Sequence, residues 1–169
     1  MRSSIVTLFG LFAFSMAALP ACGAAESQEE SIGEESSALV TSGTPFYDNG
    51  STQCTVNGTS MHCCPAGMAM IGAHLDANVF KCATIVAGTS GSRFLDTGTQ
   101  RNNMHSCPLN AVMVGFHKDS NKLACQALSQ SVGETVDTGT QDSYPMHVCA
   151  AGATMSGIRV DQNLFNCAN

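Results

Sequence analysis

Three pairs of cysteines at one fixed spacing constrain this chain more than any other feature. Cys64 and Cys82, Cys107 and Cys125, and Cys149 and Cys167 are each 18 positions apart, and the unit recurs every 42 or 43 residues. Around the first cysteine of each pair the chain reads Met61-His62-Cys63-Cys64-Pro65, Met104-His105-Ser106-Cys107-Pro108 and Met146-His147-Val148-Cys149-Ala150. Met70, Met113 and Met155 stand six positions after that cysteine, with Gly72, Gly115 and Gly157 two further on. An Asp-x-Asn step follows in each copy. Upstream, Asp96-Thr97-Gly98-Thr99-Gln100 matches Asp137-Thr138-Gly139-Thr140-Gln141, and Asp48-Asn49-Gly50-Ser51-Thr52-Gln53 is a looser counterpart. Self-similarity at a fixed period marks a repeat architecture in which each unit buries its apolar face against its neighbours.

The local pattern within each copy is β. Met70 to Leu75 and Val79 to Ile85 flank Asp76-Ala77-Asn78, which predicts a hairpin with a three-residue loop. Met113 to Lys118 with Lys122 to Leu128, and Met155 to Val160 with Leu164 to Cys167, are its equivalents. Phe80, Leu123 and Phe165 lie two positions before the second cysteine, hence on the same strand face, and are assigned to the core. A further strand is expected around Phe46 and Tyr47, Arg93 to Leu95, and Glu134 to Val136. Copy three ends soon after Cys167, and residues 38–41 are expected to supply its missing strand and close a ring. The fold class is therefore all-β: a disulfide-stabilised, pseudo-threefold repeat domain of β-prism or β-trefoil kind spanning residues 38–169, with copies at about 46–88, 89–131 and 132–169.

The nine cysteines are an odd number for a paired framework. Arg2 precedes an apolar run from Ile5 to Leu19 that ends in small residues, which is the outline of a secretory signal peptide over residues 1–21. At about 15 residues the run is short for a bilayer span, which needs about 20. Leu19-Pro20-Ala21-Cys22 resembles the lipobox of bacterial lipoproteins, in which the cysteine is lipidated and becomes the first mature residue. The resemblance implies lipidation at Cys22, a membrane partner through that anchor, and placement in the bacterial cell envelope, at the outer membrane or cell surface. Residues 22–37 then form an acidic tether with five Glu and no Lys or Arg, whose composition is that of a disordered segment. Setting Cys22 aside leaves eight cysteines, and the repeat favours Cys64–Cys82, Cys107–Cys125 and Cys149–Cys167, with Cys54–Cys63 inside an insertion peculiar to copy one. Bridges between neighbouring copies are the alternative.

Net charge is −6, but from residue 38 onward eight acids face six basic residues, so the repeat domain is nearly neutral. Neither it nor the tether offers the basic footprint that nucleic acid requires.

All five histidines occupy two repeat positions. His62, His105 and His147 fill the first in every copy. Converging on an axis, they would bind one zinc or copper ion, with Met61, Met104 and Met146 as soft neighbours. Kept apart, each would hydrogen-bond a neighbouring loop while the methionines fill the core. His74 and His117 fill the second position, where copy three has Arg159, a poor metal ligand. With Asp76, Asn78, Asp119, Asn121, Asp161 and Asn163 they would line shallow polar pockets able to hydrogen-bond sugar hydroxyls, although Asp-x-Asn is also a sufficient turn signal. No nucleophile elbow, zinc-protease helix or phosphate-binding loop occurs, and the distinctive residues are triplicated where a catalytic site is single. The sequence thus points to a non-enzymatic, exported binding module with three pseudo-equivalent sites and a glycan as the leading ligand. A metal-binding lipoprotein and a structural or adhesive envelope protein are the alternatives.

Overall fold

The computed structural model of the chain describes residues 40–48, 52–137, 139, 141–142 and 146–169. The signal peptide, Cys22 and the acidic tether lie outside the described residues.

The described elements are all strands. In chain order they are β1 (Thr41–Asp48), β2 (Gln53–Val56), β3 (Thr59–Cys63), β4 (Met68–His74), β5 (Val79–Ile85), β6 (Thr89–Asp96) and β7 (Gln100–Arg101). There follow β8 (Met104–Ser106), β9 (Ala111–His117), β10 (Lys122–Leu128), β11 (Glu134–Asp137), β12 (His147–Val148), β13 (Thr154–Arg159) and β14 (Leu164–Ala168). They form three sheets, ordered β1-β5-β4-β12, β6-β10-β9-β3-β2 and β11-β14-β13-β8-β7.

Each sheet has the same make-up. A hairpin of one copy is flanked on one side by that copy's own upstream strand and on the other by a Met-His strand from a different copy. Copy one's hairpin takes His147-Val148, copy two's takes His62-Cys63 and copy three's takes His105-Ser106. The pairing is cyclic: every copy lends its Met-His strand to the next.

Two repeat residues make this exchange geometrically feasible. Between Met70 and Gly72 the register with β5 shifts, leaving Ile71 without an opposite residue, and Val114 and Ser156 are bulged in the same way. A bulged residue is released from the ladder. Its carbonyl accepts an N–H from the next Met-His segment instead: Cys149 N–H donates to Ile71 at 2.8 Å, Cys64 to Val114 at 2.8 Å and Cys107 to Ser156 at 2.7 Å. The glycine after the bulge lets the borrowed strand approach. A Cβ at Gly72, Gly115 or Gly157 would lie 2.8–2.9 Å from the carbonyl oxygen of His147, His62 or His105.

The core holds the repeat signature. Phe80, Leu123, Phe165, Met70, Met113 and Met155 are buried in one cluster with the six cysteines of the 18-residue pairs. Cys64–Cys82, Cys107–Cys125 and Cys149–Cys167 are bonded within their own copies, with Cα atoms 5.7–5.8 Å apart, and Cys54–Cys63 bridges β2 to β3. A second cluster unites Val56, Met61 and Cys63 of the β2–β3 hairpin with Val112, Val114 and Ala124, so this hairpin covers the outer side of copy two's hairpin.

Two expectations require correction. The hairpin loops have four residues, not three, because His74 pairs with Val79, His117 with Lys122 and Arg159 with Leu164. The fourth loop residue is an asparagine in the left-handed region, with φ of 52° at Asn78, 47° at Asn121 and 50° at Asn163. Asparagine tolerates that conformation better than other non-glycine residues, which is why it recurs there. The N-terminal strand, secondly, does more than complete copy three. β1 pairs with β5 and is the upstream strand of copy one, the counterpart of β6 and β11. At its start the N–H groups of Val40 and Thr41 donate to the Gly152 carbonyl at 3.0 and 2.9 Å, where Ile85 donates to Gly67 and Leu128 to Asn110 in the other copies, and near its end the Tyr47 hydroxyl donates to Asp142 at 3.0 Å.

Candidate functional site

The first histidine position lies on the borrowed strand. In each copy a glutamine of the upstream motif stands opposite it: Gln53 pairs with His62, Gln100 with His105 and Gln141 with His147. The histidine rings lean back onto their own copy. His62 stacks on Phe80 with centroids 5.6 Å apart, and His147 on Phe165 at 4.3 Å.

Their hydrogen bonds fix the rings. His105 Nε2 donates to Asp96 Oδ1 at 2.9 Å, and His147 Nε2 to Asp137 Oδ1 at 2.6 Å. Those aspartates open the two matching Asp-Thr-Gly-Thr-Gln motifs. Burial pushes the Asp96 carboxyl up, but the Thr99 hydroxyl and amide, His105 and the Gly98 amide all donate to it and together hold its pKa below the ordinary carboxylate value. In copy one, where the longer β2–β3 hairpin joins the turn to the histidine, Asp48 accepts the Thr52 N–H at 3.0 Å and His62 Nε2 accepts from the Asn78 amide at 3.2 Å.

The three histidines do not gather at one point: among the described residues no three His, Cys, Asp or Glu side chains form a metal-binding group. Their Nδ1 atoms are buried without a hydrogen-bond partner. Met61, Met104 and Met146 are buried.

The second histidine position belongs to the hairpin loops. His74 Nδ1 accepts the Ala77 N–H at 3.3 Å and His117 Nδ1 the Ser120 N–H at 3.4 Å. A neutral imidazole accepting at Nδ1 carries its proton on Nε2, so both rings present a donor outward. Arg159 cannot accept, and it donates from Nε to Asp161 at 3.2 Å.

Strand exchange brings the two positions together. A cleft of about 440 Å³ lies between copies one and two, floored by Met61 and Phe116 and walled by Gln53, His62, Asp76 and Asn78 on one side and His117, Lys118 and Asp119 on the other. A second cleft, of about 360 Å³, lies between copies two and three. There Gln100, Met104, His105 and Asn121 take the places of Gln53, Met61, His62 and Asn78, while Ile158, Arg159 and Asp161 take those of Phe116, His117 and Asp119. Both volumes are in the range of small-ligand sites. Each cleft offers amide and carboxylate groups above an apolar floor, set on strands and tight turns. A third concavity of about 360 Å³, between β1 and residues 149–153, has a different lining; its Lys81 is paired with Asp142 at 2.8 Å.

Of the residues singled out from sequence, His62, Asp76, Asn78, His117 and Asp119 thus meet in the first cleft, and His105, Asn121, Arg159 and Asp161 in the second. His74, His147 and Asn163 line neither. Gln53, Gln100 and Lys118 were not singled out. The glutamines carried a usable signal, since they recur at the end of the upstream motif.

The chain matches no family model, no curated protein and no solved structure.

Proposed function

We propose that this chain is an exported, non-enzymatic binding module that holds carbohydrate in the clefts between consecutive copies. In this reading Cys22 is lipidated, the acidic tether separates the domain from the membrane, and the domain works at the surface of a bacterial envelope. The observation that carries the proposal is the repetition of one polar constellation in two clefts. Gln, His and Asn of one copy face Asp of the next, at equivalent positions. Amides and carboxylates in fixed positions suit pairs of sugar hydroxyls, each of which both donates and accepts. At the third equivalent position Gln141 stands opposite His147, but His147 lines neither cleft, so the proposal rests on two sites.

Other features support it. Four disulfides suit an oxidising compartment. His105 has Nε2 committed to Asp96 and Nδ1 buried, so neither nitrogen is free to move a substrate proton, which favours binding over catalysis.

The test is a glycan array probed with the oxidised full chain, followed by calorimetry on the best binders. Asp119→Asn changes an exposed carboxylate of the first cleft and is expected to weaken binding about tenfold, as loss of a charge-assisted hydrogen bond does, with an unchanged melting temperature. An array without binders overturns the carbohydrate reading.

A further inference from the structure

The two clefts adjoin, and the residue between them belongs to both. Lys118 is the first residue of the β9–β10 loop and lines the cleft on either side. Its neighbours in the loop divide: Asp119 faces the first cleft and Asn121 the second. Lys118 is exposed, and its ammonium reaches across the first cleft to the Leu75 carbonyl at 3.4 Å. Among the described residues no carboxylate lies within ion-pair distance of it, whereas Lys81, Arg101 and Arg159 each have one. The residue common to both clefts is thus a long-chain donor with a single long hydrogen bond.

We infer that the two clefts are subsites of one extended site, and that the ligand is an oligosaccharide passing over Lys118. This rests on the carbohydrate reading of the clefts and specifies its substrate class. The subsites differ in charge. The first sets Asp76 and Asp119 beside Lys118, whereas the second sets Arg159 and Asp161 beside it. A chain lying across them therefore meets two carboxylates at one end and a guanidinium–carboxylate pair at the other, which fixes its direction. Lys118 supplies ammonium donors to the linkage or to a ring substituent between the two.

Joining two subsites through one ligand makes the second contact intramolecular, so affinity rises without any new contact in either cleft. Calorimetry with linear oligomers of N-acetylglucosamine, glucose, mannose and galacturonate, from one to six units, reads this directly on the oxidised full chain. The expected result is weak binding of two monomers per chain, but one longer oligomer per chain held at least tenfold more tightly. Asn121→Gly keeps the left-handed backbone and removes an amide from the second cleft only. It should bring oligomer affinity down to near the monomer value; independent clefts would instead halve the stoichiometry at unchanged affinity. Lys118→Met should remove most of the gain in affinity with oligomer length. Equal affinity for monomer and hexamer, with two bound per chain, overturns the extended site and leaves the carbohydrate reading standing. No binding by any of these sugars, together with a blank array, overturns both.

Discussion

Asp96 shows how one side chain ties a turn to a strand. It caps its own turn through Gly98 and Thr99 and holds His105 on the borrowed strand. Its pKa is lower in the native state than in the unfolded chain, where it is about 3.9. The unfolded state therefore binds the extra proton, and the stabilisation is present above about pH 4 and lost as pH falls through the native value. Thermal melts between about pH 2 and pH 7 should show a declining acid limb, and Asp96→Asn should flatten it while lowering the melting temperature at neutrality. An acid limb of unchanged steepness in the variant would assign it to other carboxylates. The turn itself was legible from Asp-Thr-Gly, since that motif bonds its own backbone. Its histidine partner was not, because a contact across nine positions depends on where a strand crosses, not on composition. The same limit applied to Asn78, whose repeated position is explained by a left-handed turn residue, while its bond to His62 appears only in three dimensions.

At the scale of the strand, the Met-x-Gly step has two duties: a bulge frees one carbonyl, and a glycine admits the neighbour. A methyl group at Gly115 would stand 2.6 Å from Cys63 Sγ and 2.9 Å from the His62 carbonyl, both in a borrowed strand that bonded partners hold in place. Gly115→Ala is expected to cost about 1–3 kcal/mol, as overpacking does. Gly98→Ala, with nothing within 4 Å of the added carbon, should stay within about 0.5 kcal/mol. Chemical denaturation of both variants separates the close approach from a general intolerance of alanine. The hairpins, their inward residues and the approximate strand ends could be read from alternation and turn signals. Loop length was misjudged by one residue because the first loop position, Leu75, Lys118 or Val160, reads as the last residue of the strand before it. The upstream strand around Phe46 and Tyr47 was legible from its place before the turn motif, whereas its continuity with Val40 and Thr41, which reach copy three, was not, because an extended segment carries no mark of how many copies it will join.

Considered as a whole, the molecule places its three 18-residue crosslinks in one core, one per copy. Replacing Cys107 and Cys125 by alanine should destabilise by about 3 kcal/mol from loop entropy alone. Removing Cys54–Cys63, whose loop spans half as many residues, should cost about 0.6 kcal/mol less on the same account. Urea unfolding without reductant measures both, and equal losses would show that packing around the sulfurs outweighs the chain-entropy effect. The pairing was legible because the spacing repeats, and a bridge within each unit is the simplest scheme a repeat allows. The clefts were not, because a sequence repeat gives the same residues whether a strand pairs with its own hairpin or with the next, and only the second arrangement joins the two histidine positions.

That exchange means no copy is self-sufficient. A peptide of one copy would carry a hairpin with an empty edge and a Met-His strand with nowhere to lie, and three such peptides would satisfy one another only as a closed trimer. By the same reciprocity, two full chains loosened at one seam could trade a unit and reclose as an intertwined dimer, each finishing the other's sheets. Such crosslinking would call for no surface beyond the one the chain already uses to fold.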